Sequence, residues 1–170
     1  MNMVVLKHLL RNEEMGAYDK ACNNVGAVRF VQEHMKVCEI IAKELDVPVE
    51  NILGLAAAES QYGTGRIARE YNNYFSLQAP ASFQSGRVHP KDSNKTWVAI
   101  FSSFSVCARS FAVKYGDAVR GKKDALAFSE ALVAAGFNSG SHITGGTDNY
   151  ARITAGIIIM VGRRIACPVK

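Results

Sequence analysis

The stretch AAAESQYGTGRIAREYNNYFSLQ, residues 56–78, places the carboxylate of Glu59 between a run of small apolar residues and a glycine-rich turn. The segment leading to it, NILGLAAAES, has the composition of a helix that enters a protein core. Ile52, Leu55 and Glu59 follow the i, i+3, i+7 spacing, which at about 100° per residue defines a single helical face. Glu59 is therefore predicted to share the buried stripe of its helix.

This position has a chemical consequence for Glu59. A carboxyl group on an apolar face loses the hydration that favours its charged form, so its pKa rises. A raised pKa is what a general acid needs near neutral pH. The competing interpretation is that Glu59 lies where the helix end tilts into water and is only a solvated residue. The local pattern does not choose between these two interpretations.

Composition limits the fold and the partners. A chain of 170 residues with 48% hydrophobic content can build one well-formed core and is too short for two ordinary domains. The formal charge is +5, and the basic residues are scattered, with doublets only at 122–123 and 163–164. This is not the basic stripe of a nucleic-acid-binding protein. One domain without a nucleic-acid partner is predicted.

Two apolar segments bear on targeting. The segment from Met3 to Leu10 is interrupted by Lys7 and His8 and is not followed by a small-residue cleavage site, so it does not resemble a signal peptide. The segment 153–162 is shorter than the roughly 20 apolar residues that cross a bilayer. We expect synthesis in the cytoplasm without a signal peptide, no transmembrane segment, and delivery by another route.

The four cysteines, Cys22, Cys38, Cys107 and Cys167, are too far apart for a zinc site or a redox motif. They are either buried thiols or two disulfides, for which three connectivities are open. If the protein works in an oxidising compartment, we favour Cys22 with Cys167, because both lie outside the predicted helical core. The four histidines show no ligand spacing, so no metal or cofactor is expected.

The rest of the chain predicts a mostly helical α+β fold. Helical patterns cover 28–45, from Pro48 to about Gly63, 65–72, 105–114, 124–135, and from Thr147 or Asp148 to about 164. Asp46 or Val47 is expected near the cap of the second helix. Residues 80–104, with a β-rich run at 96–101, predict a hairpin. We expect one domain over 1–170, with an N-terminal extension at 1–27 and a core at 28–165.

Three segments resemble the peptidoglycan-cleaving glucosaminidases of glycoside hydrolase family 73. The strongest is residues 56–78, where Glu-Ser, Tyr-Gly and Asn-Asn-x-Phe follow one another at the family spacing. FSSFSVCARSFAVKY at 101–115 and ALVAAGFNSGSHITGGTDNYARITAGII at 131–158 are similar to later family segments. The likeness covers roughly residues 38–160, and it implies a lysozyme-like helical domain with a small β-lobe at about 80–104.

The resemblance implies roles for particular residues. Glu59 becomes the acid that protonates the glycosidic oxygen, and Tyr150 a groove residue beside it. Tyr62, Asn73, Tyr74 and Phe75 would shape the substrate site, with packing in the core or satisfaction of backbone groups as their alternative roles. Buried packing also competes for Tyr150, although a first-turn tyrosine is well placed at a cleft rim.

The second carboxylate is where the chain departs from the family. Glycosidases usually pair an acid with a base or nucleophile, and the family is expected to supply a Glu from the β-lobe. The matching segment, ASFQSGRVHPKDSNKTW, has no Glu, and Asp92 is its only acid. Three alternatives are open. Asp92 acts as the base; or there is no protein base, and the N-acetyl group of the substrate or a water held by Tyr150 takes that role; or the activity is weak.

The resemblance thus predicts a monomeric hydrolase that cleaves the β-1,4 bond after N-acetylglucosamine in peptidoglycan glycan strands. We expect an antibacterial effector, delivered by a type VI secretion machine into the periplasm of a target cell. An effector of this kind requires a cognate immunity protein that occludes the cleft. A phage endolysin, a lytic transglycosylase and a catalytically weak glycan-binding module are the alternatives.

Overall fold

A computed structural model describes residues 20–91 and 95–168. The α-helices that lie wholly within these residues are α1 (Val25–Leu45), α2 (Val49–Ser60), α3 (Arg66–Tyr71), α4 (Phe104–Val119), α5 (Ala125–Ala134) and α6 (Tyr150–Ile165). A short 3-10 helix (His142–Thr144) precedes α6. Two strands, β1 (Gly86–Val88) and β2 (Val98–Ile100), lie between α3 and α4. The predicted mostly helical fold with one hairpin is confirmed. Asp92 and most of the predicted N-terminal extension lie outside the described residues.

The junction of α1 and α2 corrects the predicted cap. Asn24 caps α1, because its side-chain oxygen accepts a hydrogen bond from the amide of Ala27. Asp46 ends the same helix in the left-handed conformation, which a short polar side chain tolerates. Pro48 is the N-cap of α2. Asp46 therefore belongs to the end of α1, while Val47, the other predicted residue, directly precedes the N-cap of α2.

Helix α2 is the centre of the domain. Most of its residues are buried, from Asn51 through Ala57, and α6 packs directly against it. The contact is close at Gly54, where an added Cβ would lie 2.6 Å from the Cα atom of Ile158. A side chain at this position would push two helix backbones apart. This close approach sets the distance between the helices that carry Glu59 and Tyr150.

Gly54→Ala is therefore expected to lower the free energy of unfolding by about 1–3 kcal/mol, the usual cost of overpacking a core. Urea denaturation measures the change. The matched control is Gly156→Ala on α6, because a Cβ at Gly156 would have no atom within 4 Å. That control should leave stability unchanged or raise it slightly, since alanine has the higher helix propensity. Equal effects of the two variants would contradict the close-contact explanation.

The hairpin is extended by a third segment. Strands β1 and β2 are antiparallel, with Arg87 opposite Ala99. Gln78 forms an isolated bridge to Val98, and the amide of Ala79 donates to the carbonyl of Trp97 at 2.9 Å. The chain that follows α3 is thus tied along β2, which fixes the β-lobe to the helical body.

Several helix boundaries differ from the predicted ones: α1 begins at Val25 and not at 28, and α2 ends at Ser60 and not near Gly63. Helix α4 continues to Val119, beyond the predicted end at 114. At the start of α6, Asn149 is the N-cap and makes no side-chain capping bond. Thr147 or Asp148 was the predicted cap, but neither is the N-cap. The carboxylate of Asp148 accepts a hydrogen bond from the backbone amide of His142 and also contacts the His142 ring. The side chain of Asp148 is therefore bonded to His142 in the preceding loop and, contrary to what the local sequence predicts, does not cap α6.

The cysteines divide into two kinds. A disulfide joins Cys22 to Cys167 across a sequence separation of 145 residues, which confirms the favoured pairing. Cys38 and Cys107 are free and buried, so the alternative of two disulfides is wrong. Burial raises the pKa of Cys107 to about 12, and it also raises the pKa of Cys38. These two thiols are core residues.

Candidate active site

The site is built where the end of α2 meets the start of α6. Glu59 is the penultimate residue of α2, and its side chain is only partly exposed. Tyr150 is the first residue of α6 and is 6% exposed. Its hydroxyl donates a hydrogen bond to Oε1 of Glu59 at 2.7 Å, across 91 residues of sequence. The structure thus brings together two of the three residues for which the sequence predicts chemistry.

The surroundings of Glu59 favour its protonated form. Burial raises the pKa of Glu59, while hydrogen bonds from Tyr150 and Ser76 act in the opposite direction without cancelling the effect. Burial also raises the pKa of Tyr150, and the nearby Glu59 adds to that rise. The phenol therefore stays protonated and keeps donating to Oε1. Because Oε1 accepts the hydrogen bond from Tyr150, Oε2 is the better position for a proton on the Glu59 carboxyl.

The turn after α2 holds Glu59 at the helix end. The hydroxyl of Ser60 donates to the carbonyl of Ala56 at 2.6 Å and accepts from the amide of Gly63 at 2.9 Å. Gln61 and Tyr62 both adopt positive φ, so the chain reverses immediately. The role of Ser60 was not predicted, although a serine three residues before a glycine in a turn is a recognisable signal.

Two of the predicted substrate-site residues are instead structural supports. The side-chain amide of Asn73 donates to the carbonyls of Leu77 and Ala99 and accepts from the amide of Leu77, each at 2.9 Å. Phe75 is completely buried, with its ring stacked 4.9 Å from that of Phe111. Both side chains are buried, so any part that they play in shaping the substrate site is indirect. They hold the segment that carries Ser76, whose hydroxyl lies 3.4 Å from the backbone carbonyl oxygen of Glu59.

The other two predicted residues lie in a separate pocket. Tyr62 and Tyr74 line a cavity of about 190 Å³ together with Phe30 and His34 of α1. The hydroxyl of Tyr62 accepts a hydrogen bond from the guanidinium of Arg164, which also lies over the Tyr62 ring at 5.0 Å. Neither tyrosine is hydrogen-bonded to Glu59. Sequence reasoning missed the contribution of α1, because His34 shows no motif of its own.

In the described part of the chain, no second acid is hydrogen-bonded to Glu59, although Glu130 lines the same cavity as Tyr150. Among residues 20–91 and 95–168, no other carboxylate forms a hydrogen bond with Glu59 or Tyr150. Asp92, the predicted base, is outside those residues, so its role stays a prediction. The same described residues contain no group of three or more His, Cys, Asp or Glu side chains that could hold a metal ion. They also contain no helix long and apolar enough to cross a membrane.

A partly desolvated glutamate at a helix end, next to a small β-lobe, is the arrangement of a glycoside hydrolase that works by proton donation. Comparison with protein families agrees, since residues 35–160 match the family Glucosaminidase, described as mannosyl-glycoprotein endo-beta-N-acetylglucosaminidase. The chain belongs to this glucosaminidase family. A comparison with curated protein sequences gave no significant match.

Solved structures agree with the fold. One chain of a type VI secretion system effector–immunity complex from Pseudomonas protegens is 53% identical, with a TM-score of 0.80 over 87% of this chain and 99% of that one. A peptidoglycan hydrolase from Sphingomonas sp. A1 is 22% identical, with a TM-score of 0.67 over 84% of this chain and 96% of the other. The glycoside hydrolase domain of Salmonella typhimurium FlgJ is 23% identical, with a TM-score of 0.58 over 80% and 88% of the two chains.

Proposed function

We propose that the protein hydrolyses the β-1,4 bond after N-acetylglucosamine in the glycan strands of bacterial peptidoglycan. The observation that carries this proposal is the Glu59–Tyr150 pair, in which a carboxyl of raised pKa is held by a neutral phenol. Membership of the glucosaminidase family supports cleavage of the glycosidic bond after N-acetylglucosamine. The structural likeness to a peptidoglycan hydrolase supports the polymer on which it acts.

In this mechanism Glu59 is the general acid. The proton on Oε2 is transferred to the glycosidic oxygen as the bond to the sugar breaks, and the carboxylate that remains accepts the Tyr150 hydrogen bond at Oε1. The rate should fall as the pH rises through the pKa of Glu59, because only the protonated carboxyl can donate. Since burial raises that pKa, activity should persist at a higher pH than an ordinary glutamate would allow.

The identity of the group that activates water is tested by two substitutions. Tyr150→Phe removes a hydrogen bond that lowers the pKa of Glu59, so the alkaline limb of the pH–rate profile should move to higher pH. If Tyr150 also holds the attacking water, kcat should fall by roughly 10²-fold. An alkaline limb that stays in place would contradict the coupling of Tyr150 to Glu59.

Asp92→Asn, measured in the same assay, assigns the base. A large loss of kcat with unchanged thermal stability supports Asp92, because a loss of activity without a loss of stability indicates a functional and not a structural role. Full activity excludes Asp92 and leaves Tyr150 or the N-acetyl group of the substrate.

We further propose that the protein is an antibacterial effector acting in the periplasm of a target cell, with a cognate immunity protein that occludes the cleft. The 53% identity to a chain of an effector–immunity complex supports this role over that of a phage endolysin. The Cys22–Cys167 disulfide supports an oxidising compartment. Co-purification of the product of the neighbouring gene, together with loss of hydrolysis on its addition, tests the immunity partner.

Mass spectrometry of digested muropeptides tests the reaction. Cleavage by the proposed route leaves reducing N-acetylglucosamine ends, which borohydride converts to the reduced sugar. Anhydro-muramic ends would instead identify a lytic transglycosylase. An undigested sacculus would leave only a glycan-binding role.

A further inference from the structure

Helix α1 contributes to a pocket that the proposed reaction does not yet use. The His34 pocket is walled by the rings of Phe30, His34, Tyr62 and Tyr74, and its volume is about 190 Å³. The exposed side chains of Arg29 and Glu33 also line it. Its walls are therefore aromatic, and its two formal charges are of opposite sign.

His34 is held rigidly in this pocket. Its ring is stacked on that of Phe104 at 3.9 Å and lies 4.6 Å from the ring of Phe30 and 5.3 Å from that of Tyr74. The side chain is only 7% exposed. Burial lowers the pKa of His34, against the smaller opposing effect of Glu33, so the imidazole is neutral near pH 7. A neutral imidazole offers one donor and one acceptor.

Those polar atoms have no partner within the described protein. Among residues 20–91 and 95–168, none forms a hydrogen bond with the ring nitrogens of His34 or with the hydroxyl of Tyr74. The ring nitrogens of His34 and the hydroxyl of Tyr74 are not among the buried unpartnered polar atoms of the described residues, so they remain accessible from the pocket. His34 and Tyr74 line the same pocket, so a ligand in the pocket could satisfy both.

The pocket lies close to the acid. Tyr62 follows Glu59 by three residues, so their Cα atoms are at most about 11 Å apart. Tyr74 precedes Ser76 by two residues, and the hydroxyl of Ser76 lies 3.4 Å from the backbone carbonyl oxygen of Glu59. Two walls of the pocket are thus connected to the Glu59 site through short, ordered segments.

We infer that the His34 pocket binds one N-acetylhexosamine ring of the glycan strand, away from the bond that is cleaved, and that His34 hydrogen-bonds to this sugar. The inference rests on the proposed function and adds a subsite to it. Aromatic walls with a few polar groups suit the apolar face and the hydroxyls of a pyranose ring. A stem peptide would bring a carboxylate, which needs a cation without a neighbouring anion. In this pocket the positive charge of Arg29 is offset by the negative charge of Glu33, so a sugar ring fits better than a peptide.

Binding by an inactive protein tests the inference. Glu59→Gln protein is mixed with glycan strands freed of peptides by amidase digestion, and the same protein carrying His34→Phe is compared with it. Phenylalanine keeps the stacking on Phe104 and removes both ring nitrogens. We expect binding to weaken by roughly five- to tenfold, the usual contribution of one neutral hydrogen bond. Glu39→Gln, at an exposed position of α1, should bind like the parent protein.

A second measurement does not depend on whether His34→Phe folds. The imidazole ¹H–¹⁵N signals of His34 in the Glu59→Gln protein should shift as peptide-free strands are added. Unchanged signals, or equal affinities of the two proteins, would overturn the sugar subsite. A defect confined to peptide-bearing strands would overturn it as well, by assigning the pocket to the stem peptide. Failure of the proposed function would give a different result. The Glu59→Gln protein would then bind glycan strands neither with nor without stem peptides, and the wild-type protein would cleave neither kind of strand.

Discussion

Glu59→Gln is expected to lower peptidoglycan hydrolysis by roughly 10²-fold or more while the protein stays folded, because glutamine keeps the shape of the side chain but has no proton to transfer. Its amide oxygen can still accept the hydrogen bond from Tyr150. The rate of clearing of a turbid sacculus suspension measures the change. The matched control is Glu39→Gln, which removes an exposed carboxylate from α1. Near wild-type clearing by the Glu59 variant would show that another group is the acid.

The same substitution should change how stability depends on pH. The pKa of Glu59 is raised in the folded state, so folding is favoured by protonation. This contribution is fully present below the pKa of the unfolded chain and is lost as the pH rises through the folded pKa. The glutamine side chain of the variant cannot ionise and should keep that stability. The free energy of unfolding of the variant, relative to wild type, should therefore increase across this pH range. A constant difference would argue against a desolvated carboxyl.

Loss of the Cys22–Cys167 disulfide is expected to lower the free energy of unfolding by up to about 4–5 kcal/mol, because the bond closes a very long loop of the unfolded chain. The separation of the two cysteines is 145 residues. Urea denaturation with and without reductant measures the difference. The double variant Cys22→Ala/Cys167→Ala provides the control, since reductant should not change its stability.

Thiol alkylation provides a separate check on the cysteines. The unfolded, unreduced protein should take up two alkyl groups, at Cys38 and Cys107, and four after reduction. Four alkyl groups without reduction, in protein recovered from the periplasm, would remove the disulfide and the support that it gives to an oxidising compartment. The assignment of Glu59 would be unaffected.

Much of the fold follows from local patterns. The helical periodicity at 28–45 and 48–63 predicts α1 and α2, and the change to β-rich sequence at 96–101 predicts the hairpin. The spacing of Ile52, Leu55 and Glu59 predicts that the carboxyl shares a buried face. Helix ends were predicted less well. At Asp148 the outcome depends on a contact with His142, and at Asp46 on the left-handed backbone conformation that ends α1. The neighbouring residues in the sequence show neither.

Only the tertiary structure decided which residues meet. Tyr150 donates to Glu59 because α6 packs against α2 at Gly54, where the absence of a side chain lets the two backbones approach. Asn73 and Phe75 belong to the family pattern, yet they lie beneath the site. His34 of α1 lines the same pocket as Tyr62 and Tyr74, which follow α2 and α3 in the sequence. The spacing of apolar residues along a helix or strand predicts which face of that element is buried, because the backbone geometry fixes which residues share a face. The partner on the other side of that face is set by packing between segments far apart in sequence, and local periodicity carries no information about it.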